Sequence, residues 1–272
     1  MKIFSHSRLS TFEQCKLKYK FRYIDKIIPD IEKTIESHLG SVVHSVLEWL
    51  YNQVKKNKIP TIDNIIVKYS EIWKEEYEEE IPIVKKQMTA GDYFNKGVQF
   101  LIDYYMRHKP FDDNTIAVEK EIIFNLDNNG NYKIRGFIDR LVYNLDTEEY
   151  EVHDYKTSNN LPRQKFLDKD RQLALYSIAI KELFGEEKKV ILVWHYLSFN
   201  KKLHSKRTDE QLKQLKQETL ELIKEIELTA EFSPKKSALC NWCEYKDICP
   251  AFGNKPPEKQ SSLGEYGKLK DK

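Results

Sequence analysis

Two short stretches bearing two acids and a lysine constrain this chain most: Gly136-Phe137-Ile138-Asp139-Arg140 and Asp154-Tyr155-Lys156. Residues 132–145 and 150–157 are rich in aromatic and β-branched side chains, which favour strands. The polar run Asp146-Thr147-Glu148-Glu149 between them has the length of a hairpin loop. If Leu145 pairs with Tyr150, Asp139 lies opposite Lys156 and Asp154 lies diagonally beside Asp139. Side chains alternate across a strand, so Val152, Asp154 and Lys156 share one face with Phe137, Asp139 and Leu141. Two carboxylates would then converge in apolar surroundings, where they repel unless a proton or a cation intervenes. Oxygen ligands suit Mg2+ or Mn2+. An isolated Asp-x-Lys is ordinarily a pair of surface charges. The Gly-x-x-Asp on the preceding strand and the rest of the chain favour a metal centre.

Helical and strand periods place the other elements. Residues 7–24 read as a helix with Ser7 as N-cap and Cys15 on its inner stripe. Residues 40–56 read as a second helix, with His44 and Glu48 sharing a face four residues apart. Residues 61–80, which end in an acidic run, and 89–108 read as two amphipathic helices, Pro82 helping to stop the first. Residues 119–126 read as a strand, and Asp127-Asn128-Asn129-Gly130-Asn131 as the turn into the hairpin. Glu119 and Glu121 fall on one face of that strand, and either could add an acid near the metal or lie on a solvated edge. After a polar connection over 159–168, a helix runs over 169–184, with Gln172 and Tyr176 on one face and Gly185 as its cap. Residues 189–199 form a nearly continuous apolar strand, and 200–207 a basic loop suited to phosphate contact. A long helix covers 209–227. These elements make an α/β chain with an antiparallel meander, a crossover helix and a further strand.

Four cysteines punctuate the chain: Cys15 alone, then Cys240, Cys243 and Cys249 within ten residues. Cys15 by itself would pass for a small buried apolar residue. Four thiolates together suit a tetrahedral zinc or an iron–sulfur cluster. Lys and Arg number 45 against 43 Asp and Glu, a net charge of +2, so any nucleic-acid surface must be local rather than global. No run of eighteen apolar residues occurs, and the first residues lack a hydrophobic signal region, so the expectation is a soluble, cytoplasmic protein without a membrane partner.

In order along the chain, Ser7-Arg8-Leu9-Ser10-x-Phe12-x-x-Cys15, Gly40-x-x-x-His44, Gly136-Phe-Ile-Asp139-Arg140, Asp154-Tyr155-Lys156, Gln172-x-x-x-Tyr176 and Cys240-x-x-Cys243-x5-Cys249-Pro250 make a pattern. It resembles the PD-(D/E)XK nuclease superfamily in its RecB-type branch. The likeness is to the members that carry an iron–sulfur cluster, such as the AddB nuclease domain and CRISPR-adaptation exonucleases. It covers most of residues 5–252. Asp154 stands where many superfamily members have Glu, as is common in the RecB-type branch.

The resemblance implies a restriction-endonuclease-like core and a Mg2+- or Mn2+-dependent deoxyribonuclease, an exonuclease on single-stranded DNA ends that leaves a 5′ phosphate. His44, Asp139 and Asp154 would be side-chain metal ligands, and the Tyr155 carbonyl would add an oxygen. Lys156 would orient water or stabilise charge at phosphorus, with Gln172 and Tyr176 holding the DNA backbone or the lysine. Cys15, Cys240, Cys243 and Cys249 would bind a 4Fe-4S cluster that joins the chain ends. The implied organisation is one nuclease domain over 1–252, with a helical insertion at 57–112, an iron–sulfur lobe from 1–24 and 229–252, and a disordered tail at 253–272. Rival expectations are a DNA-binding subunit without turnover, and a nuclease active only within a helicase–nuclease or CRISPR-adaptation assembly. No Gly-x4-Gly-Lys run occurs, so any motor would be a separate chain.

Overall fold

The computed structural model describes residues 1–29, 33–79 and 81–256. The acidic run's last residue, Glu80, and all but the first four residues of the expected tail lie outside the described residues. In chain order the elements are β1 (Lys2–Phe4), α1 (His6–Gln14), α2 (Lys16–Tyr19), α3 (Ile35–Val54), α4 (Ile62–Glu76), α5 (Ala90–His108), β2 (Thr115–Asn125), β3 (Tyr132–Asn144), β4 (Glu149–Lys156), α6 (Gln164–Leu167), α7 (Arg171–Phe184), β5 (Val190–Tyr196), β6 (Lys201–Lys206) and α8 (Asp209–Leu228).

The six strands form one mixed sheet. β2, β3 and β4 run antiparallel as a meander, β5 joins β4 in parallel and β6 returns antiparallel to β5. β1 pairs in parallel with the start of β3, on the side that β4 takes further along. β4 and β5 lie between two helical layers, which is why their residues are buried almost without alternation. One layer is α7 with α1 and α8 behind it. There Leu173, Ala174 and Ile178 meet Ile134, Leu141, Val152, Leu192 and Trp194. The other layer is α3, α4 and α5, whose core includes Val43, Leu47, Tyr69, Tyr93, Leu101 and, from the sheet, Tyr155.

Local chemistry explains most boundaries. Thr34, Thr61, Thr89 and Thr208 each close a reciprocal capping box at the start of α3, α4, α5 and α8. Gly185 ends α7 at φ +128, where a side chain would be strained. α3 starts five residues before the expected Gly40, and α4 stops at Glu76, before Pro82, because Tyr77 is already extended.

Three expectations need correction. Residues 7–24 are not one helix: Ser5 rather than Ser7 is the N-cap, Cys15 breaks the chain in an extended conformation, and a π-type turn over Lys20–Ile24 follows α2. Residues 200–207 are not a loop, since residues 201–206 form edge strand β6. There Lys202 and Lys206 pair with Glu151 and Glu149 of β4, and Arg207 donates to the Leu167 and Asp170 carbonyls. The hairpin register is shifted by two from the expected one, with a loop of the same length: Tyr143, not Leu145, faces Tyr150. Asp139 therefore falls opposite Asp154 rather than Lys156. The two acids still lie close enough for Asp154 to repel Asp139.

Candidate active site

The acids come from three adjacent strands. The flanking pairs Val118↔Arg140 and Lys120↔Ile138 put Glu119 of β2 opposite Asp139 of β3. On the other side, β3 and β4 part just beyond Arg140↔His153, and the Tyr155 N–H donates to Asp139 Oδ2 at 2.8 Å instead of to a strand carbonyl. Alternation breaks at this point. Ile138 and Leu141, three residues apart, both enter the core beneath α7, while Arg140 between them lies over the Tyr51 ring of α3. Opposite, Glu119 holds a left-handed φ of +44. Such strain costs about 1–3 kcal/mol. One buried aliphatic side chain is worth about as much, so the fully buried Ile138 and Ile122 beside it suffice to hold it.

α3 delivers His44. Gly40 lies one helical turn earlier on the same face, and a Cβ there would meet Thr157 Oγ1 at 3.3 Å. The small residue lets α3 close onto the end of β4. His44 Nε2 then lies 2.8 Å from the Tyr155 carbonyl oxygen, and Nδ1 lies 3.4 Å from Asp139 Oδ2. His44, Glu119 and Asp139 each offer a ligand atom within 4.8 Å of the others, the one such group among the described residues.

The electrostatics fit a cation. Burial, reinforced by repulsion from Asp154, pushes the Asp139 carboxyl up to about 8 despite the Tyr155 N–H and Lys156. Burial and the Asp139 charge push Glu119 up to about 7, and Glu48 on α3 adds to the repulsion. Carboxyls that resist ionisation although grouped with an imidazole are what a divalent ion would relieve.

Asp154 sits on the other side of this group. It is 4% exposed, and Lys156 Nζ donates to its Oδ1 at 3.0 Å. The same ammonium lies 2.7 Å from Oδ2, yet that oxygen accepts no aligned hydrogen bond. Lys156 also donates to Gln172 Oε1 at 3.2 Å, and Gln172 Nε2 reaches the Tyr176 hydroxyl at 3.5 Å. Burial opposes the charge on Lys156, but Asp154 and Asp139 outweigh it and raise its pKa, so it stays an ammonium. The Tyr176 ring lies flat on Gly136, where a Cβ would come within 2.4 Å of Cε1. That contact accounts for the glycine in Gly-x-x-Asp.

The expected ligand set was His44, Asp139 and Asp154. The structure gathers His44 and Asp139 with Glu119, while Asp154 is drawn to Lys156. Glu119 was one of two candidates on its strand; Glu121 instead pairs with Arg135 at 2.5 Å on the outer surface. Only the β2–β3 register separates the two.

All four cysteines line one cavity between α2 and the C-terminal turns, floored by Leu17, Phe21 and Tyr245. Cys15 Sγ accepts the Lys235 N–H at 3.5 Å, and Cys240 Sγ accepts the Ser237 N–H at 3.4 Å. None of the four is in a disulfide. No three of the sulfurs lie within 4.8 Å of one another, so they do not form a tight set.

The chain matches the sequence profile of the PD-(D/E)XK nuclease superfamily over residues 3–250 and belongs to that superfamily. Its α/β fold, a mixed sheet between helices with the acids where β3 and β4 part, is that of the superfamily's restriction-endonuclease-like core. Among solved structures, it is similar to a protein from Eubacterium rectale described provisionally as an exonuclease, with TM-score 0.52 and 13% identity over 90% of this chain and 88% of that one. A second, SSO0001, aligns with TM-score 0.41 and 15% identity over 92% of this chain and 86% of that chain. At 13% identity the first likeness bears on fold alone. No curated protein matches the sequence.

Proposed function

We propose that the protein is a Mg2+- or Mn2+-dependent deoxyribonuclease of the RecB-type branch, acting as an exonuclease on single-stranded DNA ends. One observation carries this reading: His44, Glu119 and Asp139 converge beside an Asp154–Lys156 pair, in a chain of a nuclease superfamily. His44, Asp139, Asp154 and the Tyr155 carbonyl, with Glu119, would hold the ion. A divalent ion bound there supplies Lewis-acid polarisation of the phosphate and a lowered pKa for water.

The chain's own residues divide the remaining work. Lys156, held charged by Asp154, is a hydrogen-bond donor to the scissile phosphate and not a proton acceptor. Gln172 fixes the lysine's reach, and Tyr176 anchors Gln172 against the sheet. The Tyr155 N–H holds Asp139 in place.

The same reading assigns residues 1–252 to one nuclease domain, with 57–112 as a helical insertion that guides the strand and 1–24 with 229–252 as an iron–sulfur lobe. The shared cavity, the two N–H···S contacts and the tyrosine-floored pocket support a 4Fe-4S cluster on Cys15, Cys240, Cys243 and Cys249. A single tetrahedral zinc, with bonds of about 2.3 Å, would draw its sulfurs to within ~4 Å; the wider spacing suits a larger group. Helicase or CRISPR-adaptation proteins are the partners this class of nuclease would serve.

The test is cleavage of end-labelled single- and double-stranded DNA with Mn2+ or Mg2+ against EDTA. Asp139→Ala, Asp154→Ala and Lys156→Ala should each abolish cleavage while circular dichroism stays native. Full activity in any of them would sink the site assignment. Anaerobically purified protein should be brown and lose its colour in Cys243→Ala; a colourless wild type holding one zinc would refute the cluster.

A further inference from the structure

We propose that the outer face of β1, β2 and β3 beside the acidic group is a base-stacking platform for single-stranded DNA, with Phe137 as its stacking residue. This rests on the nuclease reading and extends it to substrate selection.

Ile122 and Phe124 of β2 and Ile134 of β3 are buried beneath α7, and Tyr176 of α7 covers Gly136. Glu121, Ile123, Arg135 and Phe137 therefore point the other way. On an antiparallel sheet with one solvated face, that face is expected to be polar. Here it is not. Phe137 is 46% exposed, Ile123 50% and Ile3 40%. They are neighbours by register: Phe137 faces Glu121, Ile123 faces Arg135 and Ile3 faces Lys133. The sequence gains nothing in core packing from them.

Position gives the patch its partner. Phe137 precedes Asp139 by two residues, about 7 Å at strand rise, so the platform runs directly into the acidic group. Arg135 stands 5.5 Å from the Phe137 ring centroid, held by Glu121, and adds a second flat group. Lys133 and Arg135 against Glu121 leave an excess positive charge, enough to accompany a phosphate backbone without dominating binding. Flat apolar and guanidinium groups with modest charge favour stacked bases over a purely ionic contact. A duplex hides its base faces, so such a platform selects a single strand.

The test compares wild type, Phe137→Ala, Phe137→Leu and Phe137→Trp. Fluorescence anisotropy in EDTA would follow binding of a labelled oligothymidylate, an abasic oligonucleotide of equal length and a duplex. Phe137 is exposed, so folding is not at risk, and the leucine variant keeps apolar bulk without a ring. The expected result is that Phe137→Ala and Phe137→Leu weaken oligothymidylate binding roughly 5- to 150-fold, leave abasic binding unchanged and lose the wild type's preference for bases. Phe137→Trp keeps that preference. Equal oligothymidylate binding by wild type and Phe137→Ala, an equal loss on the abasic strand, or no single-strand binding by wild type would overturn the platform. Failure of the nuclease reading shows separately, as absence of Mn2+-dependent cleavage by wild type on any DNA.

Discussion

Asp139 shows how one residue carries both the chemistry and its cost. Its carboxyl is pushed up to about 8 by burial and by Asp154. The unfolded chain releases that proton near 3.8. The folded state thus loses stability as pH rises through this interval, and a displacement of one pH unit is worth about 1.4 kcal/mol. Between pH 6.5 and 8.5 the metal-free protein should unfold at progressively lower temperature. Mn2+, which replaces the proton, should raise the melting temperature more at pH 8.5 than at 6.5, and Asp139→Asn should flatten both trends. Thermal unfolding with EDTA or Mn2+ checks this; a Mn2+ shift equal at both pH values would count against it. Gly136→Ala forces a Cβ into the Tyr176 ring, and overpacking of this kind costs about 1–3 kcal/mol. It should lower the denaturation midpoint and impair cleavage together. The pairings of Asp154 with Lys156 and of Gln172 with Tyr176 could be read from the sequence, because short spacings on one strand or one helix set a shared face; the setting of Asp139 could not, because alternation breaks beside it.

At the scale of elements, β4, β5 and α5 enclose a second polar group behind the acids. Arg140 is fully buried, pairs with Asp113 and donates to His153 Nδ1 at 2.8 Å. His195 Nε2 lies 2.8 Å from that same nitrogen, and His153 Nε2 lies 3.0 Å from Glu151 Oε2. One neutral tautomer set fits these contacts: both Nε2 atoms carry the hydrogens, and the single lone pair of His153 Nδ1 is shared by Arg140 and His195. Burial, then Arg140, lowers His108 to about 4, and burial holds His153 and His195 well below the usual histidine range. A lowered histidine binds its proton in the unfolded chain first, so stability is lost as pH falls from about 6.5 toward 4. His108→Gln should therefore lose less stability than wild type over that range, by on the order of 2–3 kcal/mol; identical urea midpoints would refute this. None of this was visible from periodicity, because histidines within apolar strands carry no pattern of their own. The edge strand β6 escaped for a related reason: its lysines read as a loop until Glu149 and Glu151 two strands away are brought beside them.

Across the whole molecule, the chain's ends are tied to each other. Lys2 and Tyr132 both meet Glu227, Lys18 and Arg22 meet Glu244, and the Tyr245 hydroxyl donates to the Ile27 carbonyl at 3.0 Å. Tyr245 is buried against Phe21. Tyr245→Phe should cost about 1 kcal/mol for the lost hydrogen bond. Tyr245→Ala should cost about 3–5 kcal/mol for the lost ring. Equal denaturation midpoints for the two variants would show that the ends are not packed as described.

By itself, the sequence determined most of the strands and helices, that two acids and a lysine share a hairpin, and that four cysteines stand at the chain's two ends. Those properties follow from periods of two and 3.6 and from capping chemistry, all read within about twenty residues. Tertiary structure alone decided that His44 reaches Tyr155 across 111 positions, that Glu119 rather than Glu121 joins Asp139, and that the hairpin register is shifted by two. Each depends on packing between elements far apart in the chain: Gly40 against Thr157, Tyr176 against Gly136, and strand register. Local pattern leaves these open because it specifies a face but not what the face meets.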